Sequence, residues 1–442
     1  MKRILIIAAS DSGGGAGIQA DVKAVTLLGG FAMTAITALT AQNTLRVAAV
    51  FPIPPEFVEQ QIDAVMQDIG ADAVKTGMLF TAETINAVAR KLRHYRIAAV
   101  VVDPVMKSKG GDTLLQESAI AALKKELFPL ALTVTPNLDE ASLLCGFGID
   151  SLDKMKDAAR KIRDMGPHTV VIKGGHLQGD CVDLFYDGST FSEFSSPRIM
   201  TANTHGTGCT FASALAAEIA RGFSPLEAVG RAKQFVQSAI SCSVSLGKGH
   251  GPTNPFALIA RHAGLWECST ALADAVKKLQ QAHIGHLIPE VQSNFGYALD
   301  GAVSPDDVLA FPGRIVRLNA SIATVSSPLP GASQHIAKII LTMLKYNQRF
   351  RSAMNIRYSL PTIERCKALG FSTAAFDRTQ EPRMVKEAEG STLEWGTDQV
   401  LARLNYVPDI IFDTGDVGKE AMIRVLGTTP MDVADKIIKI AG

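Results

Sequence analysis

The chain has 442 residues, 47% of them apolar and 20% charged, with a net charge of +1. That length suits two domains rather than one and supplies enough apolar side chains for large cores, which excludes a disordered chain. A near-neutral balance argues against a dedicated nucleic-acid binder. Six cysteines without a CxxC pair indicate neither a zinc site nor a disulfide framework.

The N-terminal Met-Lys-Arg leads into Ile4–Ala9, a short apolar run that meets polar Ser10, Asp11 and Ser12. It reads as a first strand buried on both faces, not as a signal peptide. No apolar run is long enough to span a bilayer, so the expectation is a soluble cytoplasmic protein without a membrane partner. Ser12-Gly-Gly-Gly-Ala-Gly17 follows the strand. It does not complete GxGxxG, since Ile18 stands at the last Gly position, and no GxxxxGK[ST] occurs anywhere. Gln19 to Leu28 reads as a helix with Asp21 in its first turn, where a carboxylate is favoured.

Thr34 to Thr40 is a second apolar stretch, and Gln42 just beyond it offers a donor and an acceptor together, the pair needed to read an amino-substituted heterocycle. Pro55 to Ile69 is an amphipathic helix. Strands and helices then alternate. Strand 73–78 ends at Gly77-Met78, 98–102 at Asp103-Pro104, 132–135 at Pro136-Asn137 with Glu140 in the next helix, and 169–172 at Lys173-Gly-Gly-His176. Polar residues thus fall at the carboxyl ends of apolar strands, the ligand-binding edge of an open α/β sheet. Asp103 and Glu140 could hold Mg²⁺ directly or through water, or serve as helix caps or solvated carboxylates. Lys107–Asp112 is polar and Gly-rich, a flap over the site or a turn. Near the end of this half, the loop around Lys248 is basic and could face a nucleotide.

Residues 204–221 organise this half. Gly206, Thr207 and Gly208 form a turn that opens a helix, and the unpaired N–H groups of such a start form an anion site. Cys209 stands at the helix start, where a thiolate would be stabilised and a base could act on a substrate hydroxyl. A glycine turn capping a core helix, with a buried Cys, is the alternative.

Seven motifs occur in order: Ser12–Asp21, Thr40–Thr44, Lys75–Leu79, Asp103–Met106, Thr135–Glu140, Lys173–His176 and Thr204–Thr210. Together they resemble the hydroxymethylpyrimidine/phosphomethylpyrimidine kinases of thiamine biosynthesis, of ribokinase-like fold, over about residues 1–258. The resemblance implies a mostly parallel sheet flanked by helices and an ATP- and Mg²⁺-dependent kinase. Asp21, Gln42 and Met78 would bind the pyrimidine. Asp103 and Glu140 would serve the metal. Lys173, Asn137, Thr207 and Lys248 would lie near the nucleotide. Gly206 to Gly208 would be the anion hole beside Cys209. Related sugar kinases usually carry Asp where Cys209 stands, which favours the pyrimidine over a sugar. A pyridoxal kinase is the alternative within this class. The fold often dimerises, so a homodimer is expected.

Residues 259–268 read as a linker, and Ser269 to Ala282 as a fresh amphipathic helix opening a second, smaller α/β domain at 269–442. In Phe311–Arg317, an extended run would place Arg314 and Arg317 on opposite faces. Gly331-Ala-Ser opens a helix with His335 in its first turn, again an anion-binding arrangement. This half resembles the thiamine-phosphate synthase domain found fused to such kinases, largely in archaea. The resemblance implies condensation of the pyrimidine diphosphate with thiazole phosphate. Arg314 and His335 would be catalytic, and Arg357 and Lys419 phosphate contacts. The family more often carries Arg where Gln334 stands. Similar domains joined to a DNA-binding helix-turn-helix only sense thiamine phosphates, and a sensor is the rival reading here.

Overall fold

The computed structural model describes residues 1–106, 117–175, 180–382, 392–416 and 418–442. The Lys107–Asp112 stretch and His176 lie outside the described residues. The chain divides into two units, Met1–Ile259 and Ala260–Gly442.

The first unit is built on β1 (Arg3–Asp11), whose Ile4 to Ile7 are fully buried. Leu5 and Ile7 enter the core on one face of the sheet, and Ile4 and Ile6 the core on the other. A run without polar alternation is what a strand covered on both faces requires. The strands lie in the order β3 (Val47–Pro52), β2 (Phe31–Gln42), β1, β4 (Ala73–Thr76), β5 (Val100–Val102), β6 (Thr133–Val134), β7 (Thr169–Ile172), β8 (Cys181–Tyr186) and β9 (Phe191–Ser196). From β2 to β7 every pairing is parallel. The edge strand β3 and the β8–β9 hairpin are antiparallel.

Helices cover both faces. One core takes side chains from α2 (Pro55–Asp68) and α3 (Ala82–Tyr95) and, after α4 (Glu117–Ala122), from α5 (Leu138–Cys145) and α6 (Leu152–Arg163). The other takes them from α1 (Gly17–Leu27), α7 (Thr207–Ala220) and α8 (Pro225–Ser241). Helix α7 is apolar nearly all round, and its residues 210–218 are all buried. It is the helix a Gly-Thr-Gly turn opens toward the carboxyl ends of the strands.

Asp21 departs from its expected place. Helix α1 starts at Gly17, so Asp21 lies past the first turn and faces inward. Both of its carboxylate oxygens accept from Lys75 Nζ at 2.8 Å, and Ser213 Oγ donates to Oδ1 at 2.8 Å. Neither ionic side chain has any exposed surface. Burial opposes charge on Lys75, but the Asp21 carboxylate outweighs it and holds the ammonium above the ordinary lysine pKa.

Helix α9 (Ala257–Gln281) runs through residues 259–268, which the sequence suggests as a linker. In the second unit β10 (Phe295–Ala298), β11 (Val308–Ala310), β14 (Leu329–Pro330), β15 (Ser352–Arg357), β16 (Thr373–Ala375), β17 (Ile410–Asp413) and β18 (Met422–Gly427) form one sheet, in the order β14-β11-β10-β15-β18-β17-β16. Among the described residues only β16–β17 is parallel. A separate hairpin pairs β12 (Ile315–Leu318) with β13 (Ser321–Thr324). The helices are α10 (Gln334–Tyr346), α11 (Leu360–Ala368), α12 (Thr392–Leu404) and α13 (Pro430–Ala441). Among the described residues no helix is long and apolar enough to cross a membrane.

Asp21→Ala leaves the Lys75 ammonium buried without its counter-ion. It is expected to cost about 3–5 kcal/mol, read as a lower urea midpoint for the first unit at unchanged slope. The double change Asp21→Leu, Lys75→Met removes both charges and is expected to recover most of that loss.

Candidate functional site

Beyond the carboxyl ends of β1, β2, β4, β5 and β7 lies a cavity of about 830 Å³. Its wall carries Gln42, Met78, Asp103, Asn137, Glu140, Lys173 and the turn from Gly206 to Cys209. The structure therefore brings these predicted residues together. Asp21 and Lys248 are not on the wall. The place expected for Asp21 is taken by Lys75, which does line it. Lys248 is exposed in a loop whose Gly249 and His250 amides bond to Thr44.

The turn before α7 depends on glycine. Gly206 has φ +80°, the left-handed region, and a Cβ there would overlap the Gly15 carbonyl. The first α-helical bond is Thr210 N–H to Gly206 O at 2.9 Å. The amides before it head the helix, where the dipole is positive. Gly208 faces the charged groups: a Cβ would lie 3.1 Å from Lys173 Nζ and 3.8 Å from Asp103 Oδ2. The missing side chain leaves the helix start open to an ammonium and a carboxylate, a cradle whose polarity suits a phosphoryl group.

Lys173 Nζ donates to Asp103 Oδ1 at 2.9 Å, and Thr135 Oγ1 donates to the same oxygen at 3.2 Å. Burial works against charge on Lys173, but Asp103 and Glu140 hold its pKa above the ordinary lysine value. Asn137 and Glu140 form a capping box on α5: Asn137 Oδ1 accepts from Glu140 N–H and Glu140 Oε2 from Asn137 N–H, both at 2.8 Å. Burial pushes the Glu140 carboxyl up to about 7; Lys173 pulls it down and Asp103 up. Glu140 is thus the capping partner of α5 and stands on the cavity wall as well. Among the described residues no three His, Cys, Asp or Glu side chains cluster for a metal. Two hard carboxylates beside an open cradle suit a Mg²⁺ completed by substrate oxygens and water.

Cys209 does not show the stabilised thiolate that a helix start suggests. Burial pushes the thiol up to about 12; Lys75 lowers it, while Asp21 and Asp103 raise it further. It is protonated at neutral pH. The sequence reading also missed His205, which sits on the wall between Asp11 and Gln42 at 3.2 Å from each. It missed Lys233 too, which pairs with Asp183 at 2.9 Å on the same wall. His205 lies inside a motif already singled out, and that was the available signal.

In the second unit, Arg314 and His335 line a second cavity, of about 660 Å³, with Ser333, Gln334 and Lys338. Residues 311–314 are not extended: Gly313 and Arg314 have φ of +72° and +66°, and the strand begins only at Ile315. Arg314 donates to the Val291 carbonyl. Ser333 is the N-cap of α10, which directs the helix start at the cavity. Lys338 stands one turn beyond Gln334 on the same helix face, so a cation is present although the expected Arg is not. Arg357 and Lys419 are not on this wall. Lys419 Nζ lies 3.5 Å from Glu381 Oε2, and Arg357 is exposed at the end of β15.

A mostly parallel sheet with a glycine-opened helix at its ligand edge, facing buried lysines and carboxylates, defines a ribokinase-like small-molecule kinase. Residues 11–254 match the family described as phosphomethylpyrimidine kinase, and the chain belongs to that family. Residues 271–439 match the family described as thiamine-phosphate synthase ThiN. The thiamine biosynthesis bifunctional protein ThiED of Geobacter sulfurreducens is 54% identical over 252 residues, 57% of this chain and 51% of that protein. The chain thus spans about half that relative's length. The hydroxymethylpyrimidine/phosphomethylpyrimidine kinase of Bacillus subtilis is 51% identical over 257 residues, covering 58% of this chain and 95% of the relative. Among solved structures, an ADP complex of Bacillus subtilis pyridoxal kinase superposes with a TM-score of 0.56 at 42% identity, over 59% of this chain and 99% of that one. A Staphylococcus aureus pyridoxal kinase with AMP-PCP and pyridoxal gives 0.54 at 39%, over 58% and 94%.

Gly208→Ala fills the cradle without straining the backbone. It is expected to lower kcat by about 10²-fold or more, the scale of losing a transition-state contact, with the melting temperature of the first unit nearly unchanged. A fall in melting temperature with intact kcat would place Gly208 in the fold rather than in the site.

Proposed function

We propose that the first unit transfers a phosphoryl group from ATP to 4-amino-5-hydroxymethyl-2-methylpyrimidine and then to its monophosphate. The second unit joins the resulting diphosphate to thiazole phosphate, giving thiamine phosphate and diphosphate. The observation that carries the first part is the Gly208 cradle beside Lys173 and Asp103, on one wall with Gln42. Relatives named for this kinase activity, and kinase neighbours bearing ADP and AMP-PCP, support the same reading.

Phosphoryl transfer through a loose transition state asks for alignment and charge neutralisation more than for covalent help. Here the amides of the α7 start face the transferring group, and Lys173 supplies fixed positive charge. Lys75, kept cationic by Asp21, adds to it from below. Asp103 and Glu140 are the residues that would hold Mg²⁺, which when bound neutralises charge on the nucleotide phosphates. Gln42 holds the pyrimidine, and Met78 supplies apolar contact beside it. Cys209, protonated, is not a resting-state base. In a loose transition state the hydroxyl keeps its proton until late and passes it to an oxygen of the transferring phosphoryl group, while the Cys209 thiol orients the hydroxyl by hydrogen bonding. In the second phosphorylation the nucleophile is a phosphate already ionised at neutral pH, and no base is needed.

In the second unit diphosphate must leave the pyrimidine methylene carbon before the thiazole nitrogen attacks. The work is stabilisation of the leaving anion. Arg314, His335 and Lys338 around the start of α10 are placed for it.

Cys209→Ala is expected to slow phosphorylation of the hydroxymethyl compound at least about tenfold more than that of its monophosphate; equal losses in the two steps would sink the distinction. In the full chain, supplied with pyrimidine diphosphate and thiazole phosphate, Arg314→Ala is expected to cut thiamine phosphate formation about 10²-fold and leave ATP turnover untouched. Intact output would remove Arg314 from the leaving-group site. Tight thiamine phosphate binding without any synthesis by the unaltered chain would make the second unit a sensor.

A further inference from the structure

His205 Nε2 is shared by two neighbours with conflicting needs. Asp11 Oδ2 lies 3.2 Å from it, and Gln42 Nε2 also 3.2 Å. The Asp11 carboxylate already accepts N–H bonds from Gly13 at 2.8 Å, Gly15 at 3.1 Å and Ala16 at 2.8 Å. Burial raises its pKa, but His205 and those amides outweigh this and hold the carboxyl below the usual range. It is therefore an anion and accepts only. His205 Nε2 must carry a proton toward it. An amide NH2 cannot then donate to the same nitrogen. The conflict resolves if the Gln42 amide is turned end for end, an assignment that heavy-atom positions do not distinguish. Its oxygen then shares the single His205 Nε2–H with Asp11 Oδ2, as a bifurcated bond. Its NH2 then faces Thr40 Oγ1, which lies 3.2 Å from the other amide atom and passes its own proton to the Ser10 carbonyl at 3.0 Å. Every donor now meets an acceptor, in one direction, from His205 to Ser10.

We propose that His205 is a positioning residue that locks the Gln42 amide with its oxygen toward the imidazole, so that the cavity discriminates an amino-substituted pyrimidine from its oxo counterpart. An unlocked amide can flip. It can meet a ring nitrogen beside an amino group, or a ring N–H beside a carbonyl, equally well. A locked amide presents one polarity only and leaves the wrong edge facing like against like. The ring itself is clamped: a Cβ at Gly15 would overlap His205 Cδ2, and Pro252 lies against the same position. The His205 backbone is tied on both sides, N–H to Gly251 O at 3.0 Å and C=O from Thr253 N–H at 3.1 Å.

This inference rests on the reading that Gln42 faces the pyrimidine, so two measurements are needed. The first is independent of substrate. In the full chain labelled with ¹⁵N-histidine, long-range ¹H–¹⁵N spectra are expected to show His205 protonated at Nε2; an unprotonated Nε2 with Nδ1–H overturns the lock. The second compares kcat/KM for the 4-amino alcohol and its 4-oxo analogue in the unaltered chain and in His205→Phe. The amino preference is expected to fall by about tenfold or more in the variant. Loss of rate on both compounds at an unchanged ratio overturns the specificity role. Failure of the unaltered chain to phosphorylate the amino alcohol sinks the kinase reading instead, and the spectrum then decides the lock.

Discussion

Two stretches of backbone far apart in sequence touch at Gly15 and Gly206, and the kinase cavity exists because they can. Gly206 adopts a left-handed φ with the Gly15 carbonyl where its side chain would be. Any larger residue at Gly206 would lever the start of α7 away from the loop that follows β1. With the contact made, the amides of the α7 start and the groups after β1 and β2 share one wall. The same seam carries the Asp11–His205 pair. The α7 start and the Gln42 side of the cavity are therefore set by a single close approach.

Charge around that seam is arranged to stay buried. Asp21–Lys75 and Asp103–Lys173 are both ion pairs at hydrogen-bond distance, and each lysine belongs to the cavity wall. Such pairs add little net stability, since desolvation offsets the attraction. Their value here is to keep ammonium groups charged where water is scarce and the local field is strong. The second unit also buries an anion between cations: Asp413 is held by Arg378 at 2.6 Å and Arg424 at 2.7 Å. That cluster is not on the wall with Arg314 and His335, and it ties β17 to β18 instead.

Much of the first unit was legible in the sequence, for a physical reason. A strand covered on both faces is apolar along most of its length, so β1, β5 and β7 announce themselves, and the polar residue after each marks the ligand edge. The edge strands β3 and β9 escaped because they are largely uncovered, and their side chains obey no strong pattern. His205 was passed over although its motif was noted: its role comes from Asp11 and Gln42, and no local spacing encodes that meeting. Asp21 was misplaced because helix-start logic applies only where the helix starts, and α1 begins four residues earlier. In the second unit Arg314 and His335 line one cavity, while Arg357 and Lys419 are not on its wall. A cation counted along a chain carries no address, and only the turn at Gly313–Arg314 shows where one of them goes.

The state of Cys209 bears on durability as well as on chemistry. Thiolates, not thiols, are captured by peroxides and electrophiles, and a sulfur that surrenders its proton only near 12 has almost none to offer. A cysteine at a helix start on a cavity wall would ordinarily be open to sulfenic acid formation and alkylation. Desolvation and the neighbouring carboxylates disfavour that route here by keeping the thiol protonated.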